Sequence, residues 1–83
     1  MTDEELEEIE QRCMRARKGP WKSFIEGRDH VSGCSFIRVD NDANPDDDIE
    51  LTGATDADQD FIAHARTDIP KLVTAIRTLK KHG

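Results

Sequence analysis

Eighty-three residues carry 12 basic and 18 acidic side chains, a net charge of −6, which leaves room for one domain, residues 1–83, around one core. Such a surface repels a phosphate backbone on average, so a long nucleic acid is excluded as an expected partner. A small anion is not excluded, because a local arginine cluster outweighs the mean field within the ~8–10 Å screening length.

No stretch approaches the ~20 apolar residues of a membrane span, and Met1-Thr2-Asp3-Glu4-Glu5 is acidic where a secretory leader is basic and then apolar. A cytoplasmic protein is expected. Cys13 and Cys34 stand alone, too few for a disulfide framework or a zinc knuckle, and read as reduced thiols.

The first helix opens at Thr2, whose hydroxyl pairs with Glu5 in a capping box. Leu6, Ile9, Cys13 and Ala16 recur at spacings of three and four, a narrow apolar stripe on a charged rod. Asp3, Glu4 and Glu5 open it and Arg15, Arg17 and Lys18 close it, as the helix dipole favours. Gly19-Pro20 stops it.

From Trp21 the period becomes that of strands. Residues 21–26 and 34–39 are rich in aromatic and β-branched side chains and read as a hairpin joined by a glycine-bounded loop over 27–33. A third short strand is expected at 49–52, ended by Gly53. Three strands with one apolar face need a helix across them.

Thr55 caps that helix, with Asp56 and Asp58 in its first turn. Phe61, Ile62, Ala65, Ile69, Leu72, Ile76 and Leu79 keep nearly heptad spacing. Pro70 cannot donate to the carbonyl of Arg66, so one kinked helix or two helices recapped at Asp68 both fit. The apolar stripe exceeds what a three-stranded sheet covers, so a dimer or larger assembly using the C-terminal helices is expected. The fold class is therefore α+β, a short antiparallel sheet of about three strands or more between two amphipathic helices.

The loop over 40–48 places Asp40, Asp42, Asn44, Asp46 and Asp48 at alternate positions, as a calcium loop does. It has Pro45 where the sharp turn needs glycine and Leu51 where a bidentate glutamate belongs. It reads as a solvated acidic turn, and no metal or other cofactor is expected. His30, His64 and His82 share no ligand spacing, and no serine or cysteine falls in a nucleophile motif, so catalytic residues are not expected either.

The hairpin loop carries the densest polar chemistry. Arg28, Asp29, His30 and Ser32 combine a guanidinium, an imidazole and a hydroxyl with two glycines whose amides can meet a phosphate or ribose. Lys22 and Arg38 add positive charge from the flanking strands, and Trp21, Phe24 or Phe36 can stack a base. The alternative at the same residues is a polar turn in which Arg28 pairs with Asp29.

Two segments, Ala16-Arg17-Lys18-Gly19-Pro20-Trp21 and the run from Asp58 to Leu72 containing Phe61-Ile62-Ala63-His64-Ala65-Arg66, resemble small phage and prophage proteins. These are the Ead-like early-region proteins and the Thoeris anti-defence sponges. The resemblance covers both ends of the chain and leaves the middle unmatched. Arg17-Lys18 stands where the family pattern has Thr-Pro.

What the resemblance implies is a homo-oligomeric phage protein, in the host cell cytoplasm, that sequesters a cyclic nucleotide immune signal without cleaving it. A cyclic ADP-ribose isomer of Thoeris defence or a cyclic oligonucleotide of CBASS type is the expected ligand. The alternative is an acidic protein that blocks a host defence enzyme directly through residues 40–48.

Overall fold

A computed structural model describes residues 1–31, 33–39 and 44–82. Helix α1 spans Asp3–Arg15, strands β1 and β2 span Lys22–Phe24 and Phe36–Arg38, and helix α2 spans Asp56–His82. A 3-10 turn, Pro45–Asp47, lies between β2 and α2. The Cα positions extend over 49 × 23 × 19 Å, an elongated shape set by the 27 residues of α2.

Both helices begin as their sequences predict. Thr2 Oγ1 accepts from the Glu5 amide at 3.1 Å while Glu5 Oε1 accepts from the Thr2 amide at 2.9 Å. This reciprocal box satisfies two otherwise orphaned donors. Thr55 and Asp58 repeat it at the start of α2, each bond 3.1 Å long. Helix α1 ends earlier than the basic run suggests. Ala16 is already extended, and its amide makes the last bond to the Arg12 carbonyl.

β1 and β2 pair antiparallel with Lys22 opposite Arg38, Ser23 opposite Ile37 and Phe24 opposite Phe36. Alternation along each strand then turns Ser23, Ile25, Ile37 and Val39 one way and Lys22, Phe24, Phe36 and Arg38 the other. The first set lies against α2. Ile25, Ile37 and Val39 are buried, as are Ala63 and Val73 of α2 and Leu6 of α1.

The third strand expected at 49–52 contracts to one bridge. Ile49 exchanges both backbone hydrogen bonds with Ile37, at 2.8 and 2.9 Å, and among the described residues no other member of 49–52 pairs. The chain turns at Thr52-Gly53, where Gly53 sits at φ +80°, a region that L side chains avoid. That turn delivers Thr55 to its capping position and leaves no length for a ladder. Among the described residues the sheet has two strands.

Of the two arrangements that Pro70 left open, two helices recapped at Asp68 is set aside: α2 runs as one helix with Pro70 inside it. An interior proline costs roughly 3 kcal/mol through the lost bond and ring crowding. Tertiary contacts on both sides hold the rod together. Before Pro70, Arg66 Nε donates to the Arg17 carbonyl at 2.9 Å. After it, Val73 is buried and Arg77 reaches Glu7 and Glu10 of α1, each at 3.2 Å. Helix α1 thus lies antiparallel along α2, its start tied to the end of α2 by a Lys80–Asp3 ion pair. No helix among the described residues is long and apolar enough to cross a membrane.

Candidate functional site: the outer face of the hairpin

The register that buries Ser23 and Ile37 against α2 gathers the other half of the hairpin on the opposite face. Phe24 and Phe36 stack with ring centroids 5.1 Å apart and planes 20° apart. The His30 ring joins them, 5.0 Å from Phe36 and 6.2 Å from Phe24. Two cations flank these rings. Lys22 Nζ stands 5.2 Å from the Phe24 centroid, and the Arg38 guanidinium stands 5.1 Å from Phe36 and 5.8 Å from Phe24. Each distance lies within the ~6 Å range of cation–π attraction.

The two cations differ in what else they hold. Arg38 donates from Nε and NH2 to the two oxygens of Asp48, at 3.1 and 3.0 Å, a bidentate fork that raises its pKa further. Lys22 is exposed and, among the described residues, forms no ion pair. The face therefore combines a rigid aromatic stack, one oriented guanidinium and one ammonium available to an incoming anion. His30 Nδ1 lies 3.5 Å from Glu26 Oε2 at the loop end of the same face.

The loop beside it is committed differently. Arg28 donates to Asp29 from Nε and NH2 and to Asp60 of α2 from NH1 and NH2, at 2.8 to 3.2 Å. Asp29 in turn accepts the Ile25 amide at 2.8 Å. These bonds hold both carboxyls below the usual aspartate range, Asp60 at about 2 chiefly through Arg28 and then the Ser23 hydroxyl, and Asp29 chiefly through Arg28. The glycine amides are taken too: Gly27 donates to the His30 carbonyl at 2.8 Å and Gly33 to Glu26 Oε2 at 2.9 Å. The arrangement matches the polar-turn alternative for Arg28 and Asp29, with Asp60 as an added partner. Ser32 lies outside the described residues, as do residues 40–43 of the acidic loop.

Of the seven candidate residues, Lys22, His30 and Arg38 meet on the aromatic face, Arg28 and Asp29 form the adjoining clamp to α2, and Trp21 lies elsewhere. Its indole Nε1 donates to the Arg17 carbonyl at 3.2 Å, and its ring borders an apolar groove between the helices. That carbonyl is the one Arg66 also bonds. The two segments that carry the family resemblance thus touch, and a Cβ at Gly19 would stand 3.1 Å from Arg66 Cγ. Their contact fixes the entry of the chain into the hairpin.

Sequence reasoning missed Gln59 and Asp60. Gln59 is buried, and its Nε2 donates to Ser23 Oγ, the Phe36 carbonyl and the Phe24 carbonyl at 2.9, 3.1 and 3.3 Å. It pins both strands to α2 from beneath the aromatic pair. The available signal was its place one turn after the Thr55 cap, beside an apolar run.

Comparison with protein-family models, with curated proteins and with solved structures returns no match for this chain.

Proposed function

We propose that this chain binds a small nucleotide on the outer face of the hairpin and sequesters it intact. The observation that carries the reading is the stacked Phe24–Phe36 pair flanked by Lys22 and Arg38. A base stacks on an aromatic ring whatever its sequence identity, at roughly 1–3 kcal/mol per base, and an ammonium beside it takes the phosphate. The resemblance at both chain ends supplies the ligand class, a cyclic nucleotide immune signal, and the setting, a phage protein acting in the host cytoplasm.

Direct blockade of a host enzyme by the acidic loop has less support from the geometry. Asp48 is held by Arg38, and Asp47 lies 4.0 Å from Arg17 and gives its carbonyl to the same guanidinium. Those charges are partly spent inside the chain.

Calorimetry with cyclic ADP-ribose isomers and cyclic di- and trinucleotides tests the proposal, followed by heat denaturation and mass analysis of what is released. Binding is expected, with intact ligand recovered, and Lys22→Ala should weaken it about tenfold, the loss of one charge-assisted contact. Absence of binding to every member of the panel sinks the reading. So does conversion of excess ligand by substoichiometric protein.

A further inference from the structure

Helix α2 has two apolar faces and the chain covers one. Gln59, Ala63 and Val73 point into the core. Turned about a third of the circumference away, Ile62, Ala65, Ile69, Leu72, Ile76 and Leu79 follow one another at spacings of three, four, three, four and three. That is an unbroken a/d heptad pattern with isoleucine at each a position and alanine or leucine at d. Leu72 is 56 % and Leu79 72 % exposed, and Ile62 and Ile69 are more than a third exposed. The pattern spans roughly 26 Å of helix at ~1.5 Å per residue.

We infer that this seam is the interface of a two-fold homodimer in which the α2 helices of two copies pack antiparallel. Two observations select a second copy as the occupant. The first is self-complementarity: centred between Pro70 and Lys71, an antiparallel copy sets every a residue against a d residue. Ile62 meets Leu79 of the second copy, Ala65 meets Ile76, and Ile69 meets Leu72, with no polar residue at any layer.

The second is charge. Asp56, Asp58 and Asp60 crowd the first turns of α2, while Lys80, Lys81 and His82 crowd the last. Antiparallel packing brings each acidic end to a basic end and opposes the two helix dipoles; parallel packing stacks like on like at both ends.

The surroundings fit this occupant. Beside the first half of the seam, Ile9, Cys13, Ala16 and Trp21 wall an apolar groove of about 420 Å³ whose floor includes Ile62, Ala65 and Ile69. In the antiparallel dimer Ile76 and Leu79 of the second copy enter it. The inference is independent of nucleotide binding, since the hairpin face shares no residue with the seam.

Light scattering on the full chain should give twice the 9.4 kDa mass, and Leu72→Glu should halve it with an unchanged circular dichroism spectrum, because Leu72 supports no core contact. Leu79→Glu serves as a second variant with the same expectation. A wild-type monomer at high micromolar concentration overturns the proposal, as does a dimer indifferent to both substitutions. Orientation is read by oxidation in a Cys13→Ser/Cys34→Ser background. Ile62→Cys combined with Leu79→Cys in one chain should link the dimer, whereas either alone should not. Linkage of the single variants would show parallel packing and refute the antiparallel assignment.

Discussion

The two ends of this molecule are held by different forces. At the hairpin end, Ile25, Ile37, Val39 and Ala63 bury apolar surface, and Gln59 closes the layer with three hydrogen bonds. At the far end, beyond Val73, Leu6 is the buried residue of α1, and the two helices are otherwise joined at their solvent edges by Arg77 with Glu7 and Glu10 and by Lys80 with Asp3. Burial contributes about 25 cal/mol per Å² of apolar surface, whereas exposed ion pairs contribute at most about 1 kcal/mol and are screened by salt. The hairpin end therefore holds most of the buried side chains, while the seam from Ile62 to Leu79 runs along α2 through both ends.

The strongest way to break that contrast is to open a cavity at its centre. Ile37 is fully buried and carries both the β1 pairing and the Ile49 bridge. Ile37→Ala should cost about 2–5 kcal/mol. A domain of this size holds only about 3–5 kcal/mol from its core, so the variant should lose its cooperative thermal transition. A clear two-state melt with only a slightly lowered midpoint would show that the hairpin is peripheral.

Gln59→Ala comes next. It leaves the Phe24 and Phe36 carbonyls without their side-chain donor beneath the sheet, at a cost of about 1–3 kcal/mol. Denaturant unfolding should register it, and because the aromatic stack rests on those strands, nucleotide affinity should fall with stability. Unaltered stability would mean that water replaces the amide at no cost.

Removing the cap at the other end is milder. Thr2→Ala breaks both halves of the box with Glu5 and should cost about 1 kcal/mol, as fraying of the first turn of α1. Hydrogen exchange should accelerate at the amides around Leu6 and leave those of Ile37 and Ile49 unchanged. Equal acceleration at both would dissolve the distinction between the ends.

The sequence showed the local devices clearly and their long-range partners poorly. The Thr2–Glu5 capping box, the Thr55 cap, the positions of the two hairpin strands and the apolar stripe of α2 follow from spacings of two, three or four residues, which local geometry dictates. The 3-10 turn at 45–47 and the shrinkage of the third strand to Ile49 depend on how far the chain must travel to reach Thr55. Arg28 was legible as a charged loop residue and even as a partner of Asp29, but Asp60 lies 32 positions away. Lys22 and Arg38 were legible as flanking cations. That they share a face with Phe24 and Phe36 required the register, which hydrophobic alternation permits and pairing decides.

The smallest expected effect concerns that Arg28–Asp60 link, because both side chains are a third or more exposed and water screens their attraction. Asp60 has its pKa lowered from 3.8 to about 2, first by Arg28 and then by the Ser23 hydroxyl. A carboxyl depressed on folding stabilises the native state fully above its unfolded value and loses that contribution as pH falls through the folded value. The window is therefore pH 3.8 down to about 2. Wild type should exceed Asp60→Asn in urea midpoint at pH 7, and the gap should narrow through this window and vanish near its lower edge. A gap that stays constant from pH 7 to pH 2 would assign the difference to packing at Asp60 and remove the charge link between the loop and α2. Narrowing already at pH 5 would place the titration on another group. Because Asp60 anchors the loop next to the aromatic face, the same titration followed by hydrogen exchange at Gly27 and Asp29 shows whether the clamp opens before the hairpin core does.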